Sequence, residues 1–200
     1  MSTQTRKYEL KARAEGQRET RERIAKATAE LHEQKGVAHT TVAEIARSAG
    51  VTRLTVYNHF ADLSELLPAC AAHYERLHPT PDFDTVLAQA DANERVRGVL
   101  TRLYVWYRET EPMYGKLFSD RTSVPELDRF LEQNADRMLA ELADDLAAAF
   151  AVRGRRGERL RALIRLALDF WTWHRLSREG LHDEAAADLM TSAVATGTVY

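Results

Sequence analysis

Apolar residues along this chain recur at intervals of three and four rather than two, so the pattern predicts helices throughout and calls for no β-strand. A first stripe, Ile24, Ala27, Thr28 and Leu31, lies between Arg18 and Gln34 and stops at Gly36. The second, Val42, Ile45, Ala46 and Ala49, is short and sharply bounded. Thr41 and Glu44 stand in the capping-box relation before it, and Gly50 follows where a helix ends in a left-handed residue. A third short helix, Thr52 to Phe60, places Val56 and Phe60 on one side and Leu54, Thr55 and Asn58 on the other, with Tyr57 and His59 flanking them.

The remaining pattern continues in the same period. Asp62 and Glu65 open a fourth helix running to about His78, with Pro68 inside it as an expected kink or first turn. The two prolines between His78 and Asp84 mark a boundary, and residues 85–90 add one turn. Val96, Val99, Leu100, Leu103 and Tyr107 define a helix from Asn93 to Glu109, which Glu111 and Pro112 are expected to break before a short helix over residues 113–121. Ser123, Pro125 and Glu126 start a long helix reaching Ala149. Another is expected from Glu158 to Arg178, and a last from about Asp183 to Val194. The fold class is therefore all-α. Its expected organisation is a flexible basic arm or frayed terminus over 1–17, a three-helix helix-turn-helix domain over 18–77, and a helical domain over 78–200.

Charge sharpens this division. The net charge is -2, yet the chain up to Phe60 holds eleven Lys and Arg against seven Asp and Glu, a balance of +4, and the remainder, with 17 against 23, carries -6. The positive end holds the two short helices, and two helices joined by a Gly-containing turn form the unit whose second helix enters a DNA major groove. A single cysteine, Cys70, excludes an internal disulfide framework and reads as a small core residue. With no long apolar run and no signal-peptide core at the start, the expected location is the cytoplasm.

The segment TTVAEIARSAGVTRLTVYNHF, residues 40–60, resembles the DNA-binding domain of TetR-family transcriptional regulators, in which a TTVxxIAxxAGV stretch precedes a short helix ending in aromatics. The resemblance spans about Arg18 to Tyr74; Leu54 and Leu63 depart from it, standing where a small residue and a phosphate-binding lysine are usual. It implies a sequence-specific regulator, a ligand-released repressor that binds a palindromic operator as a homodimer. Within that reading, Thr41, Thr52, Tyr57 and His59 are the expected phosphate contacts, and Arg53, Leu54, Thr55 and Asn58 the groove-facing residues.

The C-terminal helices offer candidates for the other two functions. An apolar effector pocket is expected among Tyr104, Trp106, Tyr107, Met113, Tyr114, Phe118, Phe130, Asn134, Met138, Phe170, Trp171 and His174, although an aromatic stripe at helical spacing serves equally as plain core. Leu166, Phe170 and Trp173 lie outside the main stripe of their helix and, with Leu189 and Ala193, are the expected dimer face. The histidines lack metal-ligand spacing, and neither a nucleophile elbow nor a phosphate-cradling glycine loop appears, so neither catalysis nor a cofactor is expected. The competing reading is an all-helical protein-interaction module without DNA binding, motivated by Leu54 and Leu63.

Overall fold

The computed structural model describes residues 3–197, and within the first helix the side chains of Tyr8 and of residues from Leu10 onward. Among the described residues the regular structure is helical: α1 Thr3–Lys35, α2 Val42–Ser48, α3 Arg53–His59, α4 Leu63–Leu77, α5 Asp84–Leu87, α6 Ala92–Asp120, α7 Pro125–Leu131, α8 Arg137–Ala148, α9 Gly154–Leu168, α10 Phe170–Arg178 and α11 Asp183–Gly197. A π-helical turn, Glu132–Asp136, joins α7 to α8. The chain forms two compact units. One holds residues up to Pro79 together with Pro112–Phe130; the other holds Thr80–Glu111 together with residues from Leu131 on. A single cut at 77/78 therefore does not describe the organisation, because residues 112–130 return to the first unit.

The first unit is built around Ile24 and Ala27 of α1, Ile45 and Ala46 of α2, Val56 of α3, Phe60 and Leu66, all buried together. Stripes of three or four apolar residues on short helices suffice because each is closed by its neighbours. The segment expected as a mobile arm continues α1 back to Thr3, giving a helix about 50 Å long. Lys, Arg, Ala, Glu and Gln favour helix without needing an apolar stripe, which is why periodicity missed it. At its other end Gly36, φ +87, turns the chain toward α2; a Cβ there would collide with Asp120 Oδ2, the carboxylate oxygen that accepts from Ala38 N at 3.0 Å.

Three expected elements are corrected. Helix α6 runs unbroken through Pro112, whose lost backbone donor is offset by packing on both sides: Tyr107, Thr110 and Met113 are buried. The long helix from Pro125 is interrupted by the π turn; Leu127 and Leu131 are buried before it and Leu142 and Leu146 after it, while Asn134, within it, faces solvent. The helix from Glu158 to Arg178 is two helices, divided at Asp169, whose extended backbone ends α9 and whose carboxylate caps α10 by accepting from Thr172 N at 2.9 Å.

Candidate nucleic-acid interface

Local chemistry holds the two short helices of the first unit in shape. Thr41 Oγ1 accepts from Glu44 N at 3.3 Å while Glu44 Oε2 accepts from Thr41 N at 3.0 Å, completing the capping box. Lys35 Nζ donates to the same carboxylate at 2.6 Å, and the hydrogen bonds from Lys35 and Thr41 draw the Glu44 pKa down from 4.5 to about 2. Helix α2 ends in a left-handed turn: Gly50 has φ +65, its N–H reaches Arg47 O, and Val51 N reaches Ala46 O at 2.9 Å. Two residues later Thr52 caps α3, its hydroxyl accepting from Thr55 N at 3.1 Å and lying 2.8 Å from the Thr55 hydroxyl.

Helix α3 has the two-sided character expected of it. Val56 and Phe60 are each 2% exposed, whereas Leu54 is 69% and Tyr57 53% exposed. Thr41, Thr52, Arg53 and Asn58 are exposed; Thr55 and His59 are half-buried. The eight residues expected to meet DNA thus lie at or near the surface of the first unit, seven of them on α3 or its cap and Thr41 at the start of α2. Motif reading did not include residues of α1. Arg21 donates to the carbonyl of His59 and stacks its guanidinium 3.9 Å from the centre of the Phe60 ring. With Gln17 and Arg18 it lines a concavity of about 480 Å³ whose far wall is Thr55, Asn58 and His59. The only sequence signal was a basic helix i, i+3 pair, Arg18 and Arg21, of a kind that usually marks a solvated face.

The expected effector residues divide between the units. In the first, Met113 is buried and Tyr114 half-buried, with the Tyr114 ring set edge-on 6.4 Å from Tyr74 and tilted 5.8 Å from Phe118. In the second, Tyr104 and Tyr107 are fully engaged: their hydroxyls donate to Ala167 O at 2.7 Å and Leu168 O at 2.8 Å. These are the carbonyls at the end of α9, so the tyrosines seal a helix terminus. Burial pushes the Tyr104 hydroxyl pKa up. Asn134 is exposed and Met138 half-buried, which removes the argument for a buried amide in an apolar stripe. Trp171 is 43% exposed, and His174 Nε2 lies 3.4 Å from Glu111 Oε1.

The expected dimer residues also need correction. Phe170 and Trp173 are 2% and 0% exposed within their own chain, packed against the Tyr107 ring at 5.2 and 5.7 Å. The break at Asp169 turned them inward. Leu166 and Leu189 remain 53% and 49% exposed, and Ala193 is half-buried.

Comparison with known proteins agrees with this geometry. Residues 24–70 match the model of bacterial regulatory proteins of the tetR family. The transcriptional regulator TtgR of Pseudomonas putida is 42% identical over 76 residues, 38% of this chain and 33% of that protein, so the match spans about a third of its length. Among solved structures, NalD, the secondary repressor of the MexAB-OprM multidrug efflux pump of Pseudomonas aeruginosa, is 25% identical, with a TM-score of 0.59 over 92% of this chain and 97% of its own. A TetR-like transcriptional regulator from Rhodococcus shares the fold at 21% identity, with a TM-score of 0.60 over 89% of this chain and 94% of its own.

Proposed function

We infer that this chain, whose helix-turn-helix residues match tetR-family regulatory proteins and whose fold is similar to that of NalD, is a sequence-specific DNA-binding transcriptional regulator of the TetR family. One observation carries the reading: α3 is anchored by Val56 and Phe60 and leaves Arg53, Leu54, Tyr57 and Asn58 exposed. A guanidinium, an amide and a small apolar surface on one side of a short helix are the groups that read base edges, with Leu54 suited to a thymine methyl. The exposure of Leu54 thus favours DNA over the interaction module that its departure from the family pattern suggested.

The regulator acts as a two-fold dimer on a palindromic operator, its two α3 helices about 34 Å apart or a multiple of that. Leu166, Leu189, Ala193 and, in place of the buried Phe170 and Trp173, the exposed Trp171 supply the apolar surface for the dimer. A small apolar or amphipathic effector releases the DNA by binding one conformation better than the other. Repression fits a protein that blocks polymerase by occupancy alone, and the fold shared with NalD, itself a repressor, supports it. The protein acts in the cytoplasm.

Fluorescence anisotropy with a duplex selected from a randomised pool, and with a scrambled duplex, tests this reading. Thr55→Ala and Asn58→Ala are expected to lose about 1–3 kcal/mol on the selected duplex and little on the scrambled one, while Tyr57→Phe weakens both alike. Equal losses on both duplexes for all three variants would refute the division of roles. Absence of salt-dependent binding by the wild type at low salt would refute the function.

A further inference from the structure

The concavity between α1 and α3 carries an inference that deepens this reading and rests on α3 being the recognition helix. Its lining holds two guanidinium groups, two side-chain amides, a hydroxyl and an imidazole, and no carboxylate. Arg21 does not sweep freely through solvent, because the His59 carbonyl and the Phe60 ring hold its guanidinium from one side. A cation there also meets the negative end of the α3 dipole. Arg18 pairs with Glu15 at 3.3 Å, but both side chains are more than half exposed, and such a pair exchanges readily for a better anion. The planar guanidinium matches a phosphate oxyanion, and Gln17 adds an amide donor to the same recess, which Asn58 borders from the base-reading side of α3.

We propose that this recess seats a backbone phosphate of the bound DNA, with Arg18 as its contact and Arg21 as a positioning residue that fixes the C-terminal end of α3 beside it. The phosphate then lies against Asn58 and Thr55, so the recess sets how α3 is registered on the duplex. Arg18 contributes affinity without regard to sequence. Arg21 contributes discrimination, because releasing the end of α3 misplaces its base-facing side chains.

The test uses the full chain, the selected and scrambled duplexes, and a salt series read by anisotropy, with thermal unfolding of each variant alongside. Arg18→Ala is expected to weaken both duplexes by about three- to tenfold and to reduce the salt slope by about one for each recess engaged. Arg21→Ala is expected to cost more on the selected duplex than on the scrambled one. Arg21→Lys, which keeps the charge and loses the planar stack, should recover the scrambled duplex but not the discrimination. Wild-type affinity and salt slope in both alanine variants would overturn the proposal, as would weakened binding with an unchanged slope, while leaving the regulator reading intact. Failure of the wild type to enrich any duplex would instead overturn that reading and the recess with it. Should Arg21→Ala unfold, the exposed Arg18→Ala still decides.

Discussion

Both units cap helices locally, as Asp169 does for α10, but the second also closes a helix end with side chains from far along the chain. In the helix-turn-helix, Thr41, Thr52 and Asp62 cap helices through groups two or three residues away. In the second unit, the end of α9 is closed by Tyr104 and Tyr107, more than sixty residues earlier in the chain, and Trp173 Nε1 donates at 3.0 Å to Asp183, which also takes Arg108 Nε at 2.7 Å. Local caps make a short helix nearly self-sufficient in its ends. Distant caps make each helix conditional on the packing of the others.

The largest expected effect tests that conditional packing. Trp173→Ala removes a fully buried ring and should cost about 3–5 kcal/mol in urea unfolding, whereas Trp171→Ala, at 43% exposure, should stay within about 0.5 kcal/mol. A Trp171 deficit that varies with protein concentration would place it on the dimer face. Next comes a dependence on pH in the first unit. His32 is 2% exposed, and burial, partly opposed by Asp120, lowers its pKa from 6.5 to about 4. The folded protein prefers the neutral ring, so this contribution is complete above pH 6.5 and is lost as the pH falls toward 4, about 3 kcal/mol in all. Urea midpoints across that window should fall for the wild type and stay flatter for His32→Leu. Glu44 is distinguishable, since its depressed pKa delays its loss until below pH 4.5.

The two kinds of cap can then be compared directly. Tyr107→Phe leaves the buried Leu168 carbonyl without its phenol and should cost about 1–3 kcal/mol. Thr52→Ala removes an exposed N-cap and should cost about 1 kcal/mol, read as loss of unfolding free energy. If Thr52→Ala proved the more damaging, the contrast between self-closed and remotely closed helices would be wrong. Cys70 offers a control: burial pushes its thiol up to about 12, so thiol reagents should leave the native protein unmodified at neutral pH.

Much of the surface proposed to face DNA was legible from residue order. Thr41 with Glu44, Gly50, and the opposition of Val56 and Phe60 to Leu54 and Asn58 are relations within a turn or two of helix, and the structure repeats each of them. Arg21 was not legible as a partner of His59, because thirty-eight residues separate them and an arginine on a polar helix has no marking of its own.

Residue order alone determined that this chain is helical and where its short, self-capped helices begin and end, because helix period and capping act over three or four residues. Only tertiary structure decided that α6 survives Pro112, that Asp169 divides α9 from α10, and that Asn134 faces outward while Phe170 and Trp173 face in. Each of those outcomes depends on the phase at which a helix meets a distant neighbour. A proline, a π turn or a break shifts that phase by less than any local pattern can report.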